Sequence, residues 1–214
     1  MPALPPQYSL IQKGNACVFN RQSALGRTLI SGKSGLTGER TLTIGEVRGF
    51  TLFQLAIFGS LTGELQEAVR PVLGIDLPVR VGVTARAEDR CVLKIGPRQF
   101  WIVTQNNQLP TRLRSALPPT AACVTSLSHS RTRIFIQGST AREVLSKGIA
   151  LDLHPAAFGT DAFAITALHH TPVLLHCTGS HRYELYVMRT FAASIWEWLA
   201  DAAWSVGYDV SVRE

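Results

Sequence analysis

The chain has 214 residues, 46% hydrophobic and 17% charged, a balance that excludes a disordered or fibrous chain and suits one compact domain or two small halves sharing a core. Its apolar runs are too short for a bilayer-spanning helix, so a soluble protein is expected, with no membrane partner. The formal charge is +6 and the pI about 9.5, but the basic residues are scattered, without the dense block or aromatic-interleaved stripe of a nucleic-acid binder, so no nucleic-acid partner is expected.

Residues 1–40 are poor in periodic apolar positions and rich in Gly, Ser, Pro and basic residues. A segment that buries so little apolar surface is expected to be an extended or mobile arm, or to lie across a partner. MPALPPQYSL lacks the basic stretch and apolar run of a secretory signal. The four cysteines, Cys17, Cys91, Cys123 and Cys177, never form C-x-x-C and read as reduced thiols, so a cytoplasmic location is expected. GRTLISGKS resembles a phosphate-binding loop, but Gly26 and Gly32 are one residue too far apart and no apolar strand leads in, so no nucleotide site is expected.

From Thr41 the pattern tightens. Leu42 and Ile44 mark one strand, and residues 50–58 a second that is apolar on both faces and therefore central. Leu61, Leu65, Val69, Val72 and Leu73 recur at helical spacing behind Ser60, with Pro71 near the end and Gly74 closing the helix. Strands are expected over residues 79–83, 91–95 and 100–104, then a short helix over 111–117 that two prolines stop, and a strand over 121–127.

Residues 131–137 alternate around Ile134 and Ile136 as a strand, and Gly138 turns the chain. Thr140 and Glu143 have the spacing of a capping box, Ala141, Val144 and Leu145 share a helix face, and Gly148 stands where a left-handed helix stop is wanted. Strands follow over 162–168, 173–177 and 183–187, then a helix over 190–206 and a strand over 208–212. Both halves read as strand, helix, strands, helix, strand. The expected fold is therefore α+β: two ferredoxin-like β-α-β-β-α-β units sharing a core, 41–128 and 129–214, behind the arm 1–40.

No convergent catalytic or metal set emerges from this order. His176 and Cys177 are strand neighbours and face opposite ways, which removes one of them from any site shared with His169, His170 or His181. Ser126, Ser128 and Ser130 beside His129 lack a nucleophile elbow, and His129 and Arg131 read as the polar entry to a strand. Asp152, Asp161, Glu184 and Glu197 are the second-half carboxylates able to point into a cleft, but no acid pair follows from their spacing. On the long helix, Phe191, Ile195, Trp198, Leu199 and Ala202 form the expected core stripe, with Trp196 and Trp204 on its flanks, where large aromatics pack under a loop or anchor a protein interface.

LSHSRTRIFIQGSTAREVLSKGIALDLHPAAF, HHTPVLLHC and YELYVMRTFAASIWEWLADA resemble the gamma subunits of bacterial heterotetrameric sarcosine oxidases, most specifically in KGIALDLHP and FAASIWEWL. The resemblance spans roughly residues 41–208. It implies the folate-binding fold shared with the aminomethyltransferase of the glycine cleavage system, and a place in a complex that oxidatively demethylates sarcosine and passes the one-carbon unit to tetrahydrofolate. It also implies alpha, beta and delta subunits as partners. FAD, FMN, NAD and tetrahydrofolate would then lie in the large subunits and zinc in delta, with no cofactor or catalytic residue in this chain and no activity from it alone. Trp196 and Trp204 become the expected interface residues.

The aminomethyltransferase folate motif, T-G-E, spacer, G-F-E, corresponds here to T-G-S-H-R-Y-E. Thr178, Gly179 and Glu184 match, whereas Ser180 replaces a glutamate and Arg182 a glycine. Glu184 is then a relic of a folate pocket or a strand-end charge, and a free-standing tetrahydrofolate-binding or aminomethyltransferase-like protein is the alternative function.

Overall fold

The computed structural model describes residues 22–26, 28–36 and 42–214, among which twelve strands and four α-helices form two sheets. The first 21 residues, Arg27 and residues 37–41 lie outside this description, and with them Cys17 and much of the expected arm.

Residues 51–126 build the smaller sheet. The strands are β3 (Thr51–Ile57), β4 (Thr84–Ala87), β5 (Arg90–Gly96), β6 (Gln99–Thr104) and β7 (Ala122–Ser126), all antiparallel in the order β4-β5-β6-β3-β7. Helix α1 (Gly63–Leu73) buries Leu65, Val69 and Leu73, one residue per turn on one face. Its cap is Thr62 rather than Ser60: the Thr62 hydroxyl accepts from Leu65 N at 3.3 Å, while Gly74 ends the helix at φ 70°. Helix α2 (Leu109–Ala116) starts two residues before its expected position, because Pro110 fits the first turn, where no amide partner is needed. The strand expected over 79–83 does not form. Val79, Val81 and Val83 are 77%, 54% and 42% exposed in a loop, and the pairing with β5 starts at Thr84.

The larger sheet has the order β1-β12-β2-β8-β11-β10-β9. Its strands are β1 (Gly32–Ser34), β2 (Leu42–Val47), β8 (Arg131–Gly138), β9 (Phe163–Leu168), β10 (Thr171–Gly179), β11 (Arg182–Met188) and β12 (Tyr208–Arg213). Without β4, the small sheet runs β7-β3-β6-β5, the 4-1-3-2 order of a ferredoxin-like unit; the large sheet repeats it as β12-β8-β11-β10 once β2 is set aside. The α+β fold of paired ferredoxin-like units is thus present, with one rearrangement. Strand β2, expected to open the first half, is inserted between β12 and β8, parallel to the former and antiparallel to the latter. Gly45 permits this insertion, since a Cβ there would lie 1.8 Å from the Ser211 carbonyl oxygen.

Part of the arm is folded in. Leu25 is completely buried in the large core, β1 pairs with β12 along the sheet edge, and Ser23 donates to the Glu46 carboxylate at 2.6 Å. Gly32 to Ser34 of the phosphate-loop look-alike are this edge strand, not a strand-to-helix turn.

Helices α3 (Ala141–Ser146) and α4 (Ala192–Ala203) cover one face of the large sheet. Two local expectations change here. Thr140 makes no side-chain capping hydrogen bond to α3, and Gly148 is not left-handed. Gly148 serves close packing instead: a Cβ there would lie 2.4 Å from Trp198 Cζ2. The buried stripe of α4 is Ala192, Ile195, Trp196, Leu199 and Ala203, so Trp196, expected on a flank, is 5% exposed, while Phe191 is 43% exposed. Ser194, Glu197 and Asp201 share the opposite face and stay exposed, so the polar positions of the helix mark its rotation, and the expected stripe through Trp198 is turned towards them. No helix among the described residues is long and apolar enough to cross a membrane.

The uncovered faces of the two sheets meet through a third core, in which Leu52, Leu93, Trp101 and Val103 of the small sheet pack on Phe163, Leu174 and Tyr186 of the large one. Beside this apolar contact the interlayer space becomes polar.

Candidate functional site

Strand alternation selects the side chains that enter this space. On β11, Leu185 and Val187 face the helices, so Glu184 and Tyr186 face the small sheet. Arg133 lies opposite Tyr186 across the β8–β11 pairing and diagonal to Glu184. His176 is opposite Glu184 on β10, whereas Cys177, its neighbour, is buried on the helix side, as the strand geometry requires. A bulge at the end of β10 brings Thr178 to the same cavity. Arg86, Cys91 and Thr104 line it from the small sheet, Arg90 and Asp89 at its edge, enclosing about 470 Å³.

Glu184 is 1% exposed and is the centre of this arrangement. Arg133 Nε and Nη2 donate to its two oxygens at 2.9 and 2.8 Å, and the Tyr186 hydroxyl donates to Oε2 at 3.2 Å. Its carboxylate is therefore held by its own chain in a forked ion pair. Arg182 approaches Glu184 Oε1 only to 3.6 Å, outside hydrogen-bonding range. Arg86 donates to Asp161 at 2.9 and 2.6 Å, and Arg90 is paired with Asp89. Burial pushes the Cys91 thiol up to about 12 and raises Tyr186 as well, so neither is a nucleophile at neutral pH. Burial also lowers the His176 pKa from 6.5 to about 4, so its 3.9 Å approach to Asp161 is not an ion pair at pH 7.

Of the four carboxylates weighed from the sequence, Glu184 and Asp161 reach the cavity or a side chain lining it, whereas Asp152 accepts from His154 N and Glu197 is exposed on α4. The remaining histidines are dispersed by the hairpins. His169 and His170 sit at the turn before β10 and His181 at the turn after it, separated by the nine residues of that strand, roughly 30 Å of extended chain. Among the described residues, no group of three or more His, Cys, Asp or Glu side chains converges as a metal site. Ser128 is structural, accepting from Leu52 N at 3.0 Å and donating to Leu52 O at 3.1 Å. A second hollow of about 380 Å³ contains Glu46, which Ser23 and Arg48 already occupy. Trp204 is 50% exposed at the end of α4.

Arg133 and Arg86 were not singled out by the motifs. A usable signal exists for Arg133: Arg131 and Arg133 both fall on one face of a strand whose other face carries Ile134 and Ile136, all but fully buried with Thr132, which places charge inside a layered structure. Arg86 carries no comparable signal, since its partner Asp161 is 75 residues away.

Residues 62–205 match the profile of the family described as "Sarcosine oxidase, gamma subunit family". Among solved structures, the chain is similar to one from the heterotetrameric sarcosine oxidase of Corynebacterium sp. U-96, in complex with pyrrole 2-carboxylate. The identity is 29% over 85% of this chain and 94% of that one, with a TM-score of 0.77. It is also similar in fold to the glycine cleavage system aminomethyltransferase T from Bartonella henselae, at 14% identity over 82% of this chain and 48% of that one, with a TM-score of 0.60. A comparison with curated proteins finds no match.

Proposed function

The chain belongs to the sarcosine oxidase gamma subunit family, and from that premise we propose that it is a non-catalytic subunit whose work is assembly with the large flavoprotein subunit of a sarcosine-oxidising complex. The match over residues 62–205 carries this reading. The site chemistry is in keeping with it: the buried thiol and phenol are held protonated, and the central carboxylate is committed to Arg133 and Tyr186. Partner subunits would supply the flavins FAD and FMN, the nicotinamide nucleotide, the zinc and the tetrahydrofolate site. Three unpaired cysteines among the described residues support a reducing, cytoplasmic setting.

Within this proposal Trp204 is the interface anchor, since Trp196 is spent on the chain's own core. Co-expression with the neighbouring subunits, followed by affinity capture of this chain, tests the assembly. Recovery of a flavoprotein in constant ratio is expected; a stable chain recovered alone would overturn the reading.

The folate-binding alternative gains no support from the cavity. Glu184 has both oxygens engaged by Arg133, and Arg182 stands where the folate motif has glycine.

A further inference from the structure

The cavity between the sheets is lined by more hydrogen-bonding capacity than the described residues use. His176 is 1% exposed, and neither ring nitrogen has a hydrogen-bond partner among them. Thr178 Oγ1 and Arg182 Nε are also buried without one, and all three side chains line the same space. Leaving a buried donor or acceptor unsatisfied forfeits its hydration without return. Such groups are uncommon in folded proteins, and their clustering in one cavity points to a ligand.

The charges around the cavity decide its chemical class. Arg86 is paired with Asp161, Arg90 with Asp89 and Arg133 with Glu184. Two charged lining residues have no hydrogen-bonded ion pair, Glu88 and Arg182, the latter with a side chain 39% exposed and a looser ion pair to Glu184. Glu88 is exposed at the β4–β5 turn, where water solvates it. Arg182 has Glu184 within 3.6 Å, but that carboxylate already accepts from Arg133 and Tyr186. An arginine fork whose nearest carboxylate is taken suits a carboxylate or phosphate group. Thr178 adds a hydroxyl donor beside it, and neutral His176 adds one ring N–H.

We propose that this cavity binds a small oxyanion, a carboxylate or a phosphate, on Arg182 Nε and Thr178 Oγ1, with the His176 ring N–H as a third donor. Its volume of about 470 Å³ admits a small metabolite carrying such a group. The proposal stands apart from the assembly reading, because subunit capture and oxyanion binding are scored by different measurements.

Histidine side-chain NMR spectra of the ¹⁵N-labelled chain, free or within its complex, provide the test, with the His176 signal assigned by its loss in His176→Gln. Acetate, malonate, inorganic phosphate and the neutral analogue malonamide are each titrated. A saturable His176 shift is expected with carboxylates or with phosphate, and whichever saturates identifies the source; malonamide should produce none. Arg182→Gln should weaken binding at least about tenfold, or 1.4 kcal/mol, and Thr178→Val should weaken it independently. Thr178→Val carries the test should Arg182→Gln fail to fold. No saturable shift from any oxyanion at about 50 mM, equal affinity in the folded variants, or an equal response to malonamide would overturn the proposal.

Discussion

Glu184 and Arg133 form an ion pair that is 1% and 18% exposed, with the Arg133 guanidinium also 5.7 Å from the ring centres of Phe50 and Tyr186. Removing one charge leaves the other buried without its counter-ion, which costs more than the pair contributes net. Glu184→Gln should therefore lower the unfolding free energy by about 3 kcal/mol in urea titrations. Loss of less than about 1 kcal/mol would mean that water reaches Arg133 freely. His176 supplies a pH test. Its pKa is lowered from 6.5 to about 4 in the folded chain, so the unfolded chain takes up the proton first as pH falls. Stability from the neutral ring is fully present above pH 6.5 and is lost between 6.5 and about 4, by up to about 3 kcal/mol. His176→Gln should flatten that part of the stability curve relative to the parent chain; an unchanged slope would place the proton uptake elsewhere. Glu184 was visible in the sequence through its motif, but its partner lies 51 residues away on another strand, and only the β8–β11 register joins them.

Helix α4 shows how the polar residues of a helix, more than its large aromatics, specify the buried face. Its existence and length follow from AASIWEWLADAA, a run without glycine or proline. Its rotation follows from the polar positions: Ser194, Glu197 and Asp201 share one exposed face, so Ala192, Ile195, Trp196, Leu199 and Ala203 opposite them are buried, whereas a stripe drawn through Trp198 lies too close to the polar side. Trp196→Ala should cost about 3–5 kcal/mol as a core truncation. Trp204→Ala, at a half-exposed site, should change stability by no more than about 0.5 kcal/mol. Equal denaturation midpoints for the two variants would contradict this placement. The same packing explains Gly148, which the sequence marks as a helix stop and the structure uses as a seat for the Trp198 ring. Helix α1 was legible in its stripe and its left-handed Gly74, both local features, and its cap lies two residues beyond the expected Ser60, at Thr62.

At the scale of the whole molecule, the two sheets leave α1 and α2 on one outer face and α3 and α4 on the other, which is how surface residues such as Trp204 become available to a partner. Trp204→Glu puts a charge into the proposed contact at little cost to the fold, so capture of the large subunit should fall several-fold while the melting temperature of the chain stays near the parent value. Undiminished capture would move the interface to another face.

The alternating and helical apolar patterns were enough to establish an α+β chain with two similar halves, because strand pleat and helix repeat act over a few neighbouring residues. The motif runs KGIALDLHP and FAASIWEWL were likewise enough to indicate the family, and residues 62–205 bear it out. Strand β2 crosses to the other half's sheet, Leu25 enters the core, and Arg86, Arg133, His176 and Glu184 gather in one cavity. None of these has a local cause. Each depends on hydrogen-bond register or close packing between segments far apart in the chain, such as Gly45 against Ser211 or Arg133 against Glu184, and those pairings exist only once the layers have met.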